Sequence, residues 1–341
     1  MAFIFCDGFD HYVAAGTQGT AFTQYLAAAG YTVTNATNNT IAARDGRRGA
    51  GTRCMEFNIV QGSSANARVS YTINSTANKQ VFGFAFYSTG SRLKVCRIEN
   101  VVDLDWDPVT GKLMVGSTLG ASVIILAAWY FIEIEVDHVN NLVKIYANNE
   151  LQMSVAPPGA LPTVYTLVWG YQGTAPSNAL QRIDDFYALD SAAGLRTARL
   201  EPIEVVSRPP TQDITAQWEL VGATAGTPHY TVVSQLDPGG AGKPYLQSNT
   251  AGATDTYRSS AVLPTNNTVF AVSVVSYARK GDLDARQLGL YIGVDGGSSD
   301  EVQLPLTETF KYYQANFEQP PGGGAWTQVN VESLTFGIVA R

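Results

Sequence analysis

Three carboxylates alternate with apolar residues along one short stretch of the chain, a spacing that could support glycoside hydrolysis. They are Glu133, Glu135 and Asp137, separated by Ile134 and Val136. On a β-strand, side chains two residues apart share a face and lie about 6.5–7 Å from each other. Glycosidases use carboxyl pairs about 5–9.5 Å apart. The stretch therefore permits the hypothesis that Glu133 and Glu135 form a catalytic pair.

The order of the acidic residues weakens this glycosidase hypothesis. Bacterial β-glucanases of the concanavalin-like sandwich class carry their carboxylates on one strand as Glu-x-Asp-x-Glu, whereas the order here is Glu133, Glu135, Asp137. A glycosidase also needs aromatic sugar subsites and an acid with a raised pKa, and no tight Trp or Tyr cluster flanks these residues in the sequence. We favour the simpler interpretation that the acids form the solvent-facing side of a strand, and we rank the glycosidase last.

A second candidate site consists of aromatic residues at alternating positions, Tyr165, Trp169 and Tyr171. Aromatic rings on the concave face of a β-sandwich can stack on sugar rings, which suggests a carbohydrate-binding module. Aromatic residues also fill the cores of sandwiches, and we favour this second interpretation. The three rings therefore remain candidate carbohydrate ligands, with burial in the core as the alternative.

Other groups of chemically active residues have weak patterns. Asp103, Asp105 and Asp107 could supply oxygen ligands to Ca²⁺, but they lack the looped DxDxDG arrangement of a dedicated site. The three histidines are far apart in the sequence, and no motif pairs them with a serine or cysteine nucleophile. We therefore predict no catalytic residues, no metal site and no cofactor, and a protein that is not an enzyme.

A β-hairpin would position the carboxylates. Residues Ile132–Asp137 alternate with the period of two expected of a half-buried strand, with one face packed and the other in water. The alternation resumes through Val143–Tyr146, and Asn148-Asn149 makes a second reversal. Similar short segments recur along the chain between turn residues, and one short helix is expected over residues 21–29, ended by Gly30. This pattern predicts an all-β sandwich or barrel.

The composition of the chain changes after Asp190, which indicates a domain boundary. Prolines follow at Glu201-Pro202 and Arg208-Pro209-Pro210, and they favour an extended connection. A second strand-rich block comes next. We predict a first sandwich domain over residues 1–190, a linker over 191–210 and a second, smaller β-sandwich domain over 211–341.

Composition argues against several classes of protein. The chain has 341 residues, only 15% of them charged, and a net charge of −7. Nucleic-acid binding requires a basic face, and no Lys/Arg run is present. The longest apolar run is too short to span a bilayer, and the start lacks the features of a signal peptide. Three cysteines are too few for a disulfide scaffold, so we expect free thiols in a protein made in a reducing cytoplasm.

Several motifs, taken in order along the chain, resemble those of one family. In the first half they are the opening segment Phe5–Tyr12 (FCDGFDHY), Arg44–Arg48 before Gly49, Trp129-Tyr130 leading into Phe131–Asp137, Val143–Tyr146 with the Asn148-Asn149 turn, and the closing Ile183–Tyr187. In the second half they are Trp218, Asp255–Tyr257, Ala278–Lys280, Trp326-Thr327 and Phe336–Ile338. This order resembles virion proteins of tailed bacteriophages and covers almost the whole chain.

The resemblance implies a concanavalin A-like, laminin-G-like antiparallel β-sandwich (a jelly roll) followed by a second, smaller β-sandwich. It implies a non-enzymatic structural protein of the virion exterior, assembled in the host cytoplasm and associated with the tail as a fibre, tip or adaptor-docked part. Its partners would be other virion proteins, further copies of itself with a trimer favoured, and a host-surface glycan, without nucleic acid or membrane insertion. A capsid decoration protein on the head and a carbohydrate-binding module are the alternatives.

Overall fold

The chain divides into two compact units, Met1–Val206 and Ser207–Arg341. The computed structural model describes residues 2–37, 40–63, 66–90, 94–171, 175, 177–192, 195, 198–239, 242–260, 262–263, 267–294 and 298–341. The described residues form many strands and few short helices, so the predicted all-β class is confirmed. The predicted linker over 191–210 stays a prediction. Its residues 198–206 belong to the first unit, whereas 193–194 and 196–197 lie outside the described residues.

The first unit contains one helix and fifteen strands among its described residues. In chain order they are β1 (Ala2–Asp7), α1 (Thr20–Ala28), β2 (Thr32–Thr34), β3 (Ile41–Gly46), β4 (Gly49–Ile59), β5 (Arg68–Asn74), β6 (Lys79–Ser88), β7 (Lys94–Ile98), β8 (Val102–Trp106), β9 (Lys112–Val115), β10 (Thr118–Val123), β11 (Trp129–Asp137), β12 (Leu142–Ala147), β13 (Glu150–Val155), β14 (Val164–Gly170) and β15 (Ala179–Asp190).

These strands form two antiparallel sheets that pack as a sandwich. The eight-stranded sheet has the order β13-β12-β11-β6-β15-β4-β3, and β1 also pairs with β15. The seven-stranded sheet has the order β10-β9-β8-β7-β14-β5-β2. Strand β15 is long enough to serve two partners on one side, because β4 pairs with residues 179–183 and β1 with residues 186–190.

Aromatic rings from both sheets meet in the core of the first unit. Phe82 and Phe84 of β6 contact Tyr165 and Trp169 of β14, with ring centroids 5.5 and 5.8 Å apart. All four residues have no exposed surface. Burying a phenylalanine side chain contributes about 1.5–3 kcal/mol, so these rings are a main source of the packing energy. They also define the inner face of the eight-stranded sheet.

The predicted hairpin is present as the meander β11-β12-β13. Its second turn is made by Asn148 and Asn149, whose φ angles are 47° and 72°. Asparagine tolerates this left-handed region better than most residues, and such turns match the twist of the flanking strands. The predicted helix over 21–29 is α1, and Gly30 follows it with φ of 93°.

The second unit contains nine strands and two short helices among its described residues. They are β16 (Gln212–Ala216), β17 (Glu219–Val221), α2 (His229–Val233), β18 (Tyr245–Gln247), β19 (Thr254–Arg258), β20 (Val272–Ala278), β21 (Gln287–Gly293), β22 (Ser299–Pro305), β23 (Lys311–Phe317), α3 (Gln328–Glu332) and β24 (Thr335–Ala340).

A five-stranded sheet with the order β16-β19-β24-β21-β22 organises the second unit. One face of this sheet carries Leu290 and Ile292 into a core that β20 and β23 complete with Val274 and Phe317. The opposite face of the sheet carries Tyr291. The described part of the chain contains no helix with the length and apolar content needed to cross a bilayer. All three cysteines are free thiols.

Candidate functional site

The outer face of the eight-stranded sheet, which points away from the seven-stranded sheet, brings Glu133 and Tyr187 together across a glycine. Glu133 of β11 pairs with Gly83 of β6, and Gly83 pairs in turn with Tyr187 of β15. A Cβ atom on Gly83 would lie 2.1 Å from Cε1 of Tyr187, so the ring lies directly over this glycine. The Tyr187 hydroxyl therefore reaches Glu133 and donates a hydrogen bond of 2.6 Å to Oε1.

Residues 199–205, called here the overlying segment, cover this pair. The Arg199 guanidinium donates to Glu133 Oε2 and to the side chain of Asn149, and it lies 3.8 Å from the centroid of the Tyr146 ring. The backbone N–H of Glu201 donates to Glu133 Oε1 at 2.9 Å. Both oxygens of the carboxylate are thus occupied by groups of the protein itself, and an ion pair neutralises its charge.

The environment keeps the Tyr187 hydroxyl protonated. Burial and the adjacent Glu133 carboxylate raise the pKa of Tyr187 well above its usual value. The same oxygen accepts a hydrogen bond of 3.2 Å from the backbone N–H of Leu200. The hydroxyl therefore acts as a fixed link between the carboxylate and the overlying segment, and it has no role as a base at neutral pH.

The other two predicted acids are also held by neighbouring side chains. Glu135 lies 3.5 Å from Nζ of Lys79 and 3.4 Å from Nζ of Lys144. Asp137 accepts hydrogen bonds from the backbone N–H and side-chain amide of Asn140. Burial opposes ionisation of Asp137, but these bonds outweigh it and lower its pKa.

The interpretation of the three acids as a solvent-facing side was wrong. Glu133 is 0% exposed, and Glu135 and Asp137 are each 7% exposed. The period of two correctly placed the acids on one face of β11, but that face is covered. Burial of carboxylates is tolerated here because each has cationic or hydrogen-bonding partners.

A buried pair of neighbouring carboxylates, Asp184 and Asp185, lies at a bulge in β15. The register shifts between Asp184 and Tyr187, and Asp185 has φ of 49°. Asp185 lies 3.0 Å from Arg47, and its Oδ1 accepts the backbone N–H of Val205 at 2.8 Å. Burial and the adjacent Asp185 raise the pKa of Asp184 to about 8. The bulge thus fastens the other end of the overlying segment.

The predicted aromatic platform is not formed by Tyr165 and Trp169, because both rings are 0% exposed. The Tyr165 hydroxyl donates to Oε1 of Gln80 at 2.9 Å and is bonded to His138. Tyr171 follows β14 and is half-buried. A ring without exposed surface cannot stack on a ligand, so the alternative that these rings fill the core describes Tyr165 and Trp169.

Two of the three aspartates considered as Ca²⁺ ligands form ion pairs with a lysine, and the third is bound by a threonine. Nζ of Lys94 lies 2.6 Å from Asp103 and 3.1 Å from Asp105. Asp107 accepts hydrogen bonds from the backbone N–H and the hydroxyl of Thr110. Among the residues with described positions, no three His, Cys, Asp or Glu side chains are grouped as a metal ion would require.

The second unit holds a His–Asp pair that the sequence analysis did not identify. Nδ1 of His229 lies 2.5 Å from Oδ2 of Asp255, and the other oxygen of Asp255 accepts the backbone N–H groups of Gln217 and Trp218. Asp213 accepts the backbone N–H of His229 at the start of α2. These bonds fasten a loop and a helix start to the sheet, which is a structural role.

Sequence reasoning found Glu133 but missed the groups that decide its chemistry. Tyr187 was noted only in the closing motif Ile183–Tyr187, and Gly83 carried no signal. Arg199 lies 66 positions from Glu133 in a segment expected to be a linker. No local pattern could have connected these residues, because their contact depends on how distant strands and the overlying segment pack.

Comparison with known proteins finds solved structures that are similar to this chain at low identity and low TM-score. No family model matches the sequence, and no curated protein matches it either. Lectin II from Ulex europaeus is 8% identical with a TM-score of 0.35, over 55% of this chain and 98% of the lectin. A carbohydrate-binding module from Bacillus subtilis is 11% identical with a TM-score of 0.28, over 48% of this chain and 96% of the module. A sialidase is 9% identical with a TM-score of 0.39, and the match spans 48% of this chain and 17% of the sialidase. At these identities and TM-scores the likeness assigns neither a ligand nor an activity to this chain.

Proposed function

We propose that the chain is a non-enzymatic structural protein on the exterior of a tailed-bacteriophage particle, associated with its tail, and that it contributes to attachment to host-surface carbohydrate. The order of motifs from the opening FCDGFDHY to the closing Ile183–Tyr187 supports the virion assignment. The observation that carries the non-enzymatic part is the closure of the outer sheet face over Glu133.

A glycosidase needs a carboxylic acid that can reach the glycosidic oxygen and a second carboxylate that can reach the anomeric carbon or a water. Glu133 is 0% exposed and is bound by Tyr187, Arg199 and the backbone of Glu201. Substrate could approach it only if the overlying segment left the sheet. Such a face stabilises the sandwich and is a poor place for acid–base catalysis.

The composition fits a protein that works through its surface. With only 15% charged residues and a net charge of −7, the polar surface is built largely from hydroxyl and amide side chains. These groups donate and accept hydrogen bonds without a charge, as the hydroxyls of a neutral glycan do. Attachment to carbohydrate therefore suits this surface better than binding to nucleic acid, which requires a basic face.

The virion assignment is tested by mass spectrometry of purified particles of the phage that encodes this chain. We expect the chain in many copies per particle, and its absence from purified particles would refute the assignment. A cryo-EM map of the same particles distinguishes a tail position from decoration of the head, and it also gives the number of copies in each assembly, with a trimer expected.

The non-enzymatic assignment is tested by incubating the purified chain with polysaccharide from the host surface. We expect no release of reducing sugar above that of a heat-treated sample. Release that disappears in Glu133→Gln, with the melting temperature unchanged, would instead establish a glycosidase and refute this part of the proposal.

A further inference from the structure

The outer face of the five-stranded sheet in the second unit carries an open cleft. Its volume is about 320 Å³, and its lining includes residues of β16, β19, β21 and β24. Small-molecule sites typically have volumes of about 300–1,000 Å³, so this cleft is at the lower end of that range. It is large enough for a small sugar and too small for a folded partner.

Hydroxyl groups dominate the polar lining of the cleft. Thr215, Thr254, Thr256 and Thr335 come from three different strands and all line it. Thr215 Oγ1 lies 2.9 Å from Thr256 Oγ1, and 3.4 Å from Thr254 Oγ1. Each hydroxyl has one donor and two acceptor sites, so this cluster can exchange hydrogen bonds with a ligand and keep its internal bonds.

Apolar surface completes the cleft. Tyr291 pairs with Gly337 of β24 and bends over Gly293, where a Cβ atom would lie 2.4 Å from its hydroxyl oxygen. The Tyr291 hydroxyl has no hydrogen-bond partner within the described part of the chain. Ile214, which is 42% exposed, lies on the same cleft. An aromatic ring and an aliphatic side chain beside hydroxyls suit a ligand with both apolar and hydroxyl-bearing faces.

The absence of charge in the lining limits the class of ligand. The residues described around the cleft are threonine, tyrosine, glycine and aliphatic residues, with no charged side chain among them. A phosphate or a uronic acid would be desolvated there without a cation to compensate it. A neutral polyhydroxylated ligand has no such cost.

We propose that this cleft binds a neutral carbohydrate, through the threonine hydroxyls and the Tyr291 ring. The inference rests on the proposed attachment role and deepens it, because it assigns the sugar contact to the second unit and not to the closed sheet face of the first. The ligand is a mono- or disaccharide unit at the surface of a host glycan.

The test uses the full chain on a printed array of neutral and acidic glycans, followed by titration with the best neutral glycan. Thr256→Val removes one hydroxyl with little change in shape, and Tyr291→Ala removes the ring. We expect each to weaken binding about tenfold or more. Thr166→Val is the matched control, because Thr166 forms a similar cross-strand hydroxyl pair with Thr72 at 3.1 Å, in the first unit. It should bind as the wild type does.

The outcomes separate this inference from the proposed function. Neutral-glycan binding that both cleft variants leave unchanged would overturn the cleft as the site, while the attachment role would stand. Binding of acidic glycans alone, or of no glycan, would overturn the inference, and the mass spectrometry of virions would still decide the structural role. Melting temperatures identify a variant that fails to fold, and Thr256→Val is the variant least affected in packing.

Discussion

Each unit contains a row of three residues that are cross-strand neighbours on three adjacent strands. In both rows the middle residue is a glycine and one end residue is a tyrosine. In the first unit Glu133 and Tyr187 flank Gly83. In the second unit Thr256 and Tyr291 flank a glycine of β24. The first row is closed and charged, whereas the second lines an open cleft without charged side chains.

The two rows differ in the residue at the end away from the tyrosine, which is Glu133 in the first unit and Thr256 in the second. A buried carboxylate requires compensation, and Glu133 receives it from the Tyr187 hydroxyl and from Arg199, which brings the overlying segment onto the sheet. Thr256 requires only a hydroxyl partner, which Thr215 supplies at 2.9 Å. The buried carboxylate of Glu133 is therefore covered by the overlying segment, whereas the threonine hydroxyls of the second row line an open cleft.

The largest effect is expected from Glu133→Ala. It would leave Arg199 and the Tyr187 hydroxyl without their shared acceptor in a buried place, and unpairing a buried charge costs about 3–5 kcal/mol. Urea denaturation followed by circular dichroism measures the loss. In the control Glu135→Ala, the partners Lys79 and Lys144 are each 33% exposed, and water can solvate them. We expect a loss of about 1 kcal/mol or less there, so equal losses would contradict the difference between the two acids.

A smaller effect is expected from Gly83→Ala, which tests the closed row directly. The new methyl group would collide with the buried Tyr187 ring, at 2.1 Å from Cε1, and overpacking of this kind costs about 1–3 kcal/mol. The matched control is Gly293→Ala, where the methyl group would meet the hydroxyl end of Tyr291 at an open cleft. That ring can move aside, so stability should change by less than about 1 kcal/mol. A greater loss in the control would show that the cleft is packed more tightly than we infer.

The smallest effect is a change in the pH dependence of stability in Asp184→Asn. Burial and Asp185 raise the pKa of Asp184 to about 8 in the folded chain, against about 3.9 for an unfolded aspartate. Between these values the folded state binds more protons than the unfolded state, so this carboxyl group makes stability fall as pH rises. Asp184→Asn should reduce that fall. Melting temperatures of wild type and variant at pH 5, 6, 7 and 8 measure this pH dependence. Parallel profiles for the two proteins would contradict a raised pKa of Asp184.

Local pattern predicted much of the fold. The alternation of Ile132–Asp137 located β11 and its two faces, and Asn148-Asn149 located a turn that the structure confirms with positive φ at both residues. The helix over 21–29 was predicted to within a residue at each end. These features depend on the stereochemistry of a few neighbouring residues, which the sequence displays directly.

The candidate sites could be predicted only in part. Glu133 was found because carboxylates at alternating positions are visible in the sequence, but its interpretation as solvent-facing was wrong. The threonines of the cleft lie on three strands, β16, β19 and β24. Threonines of different strands are about 40 to 120 positions apart along the chain, and they come together only when those strands pair. No spacing rule connects residues that the sheet order brings together.

By itself the sequence determined the all-β class and many of the strands, with the two faces of β11 among them, because a side-chain period of two is a property of the extended backbone. It also predicted a strand over Tyr230–Ser234, where the structure has the helix α2. Tertiary structure alone decided what covers each side. Arg199 closes the outer face of one sheet from 66 positions away, while the face that carries Tyr291 keeps an open cleft. The periodicity is the same in both strands. The difference arises from contacts between segments far apart in the chain, where the burial of charge must be compensated.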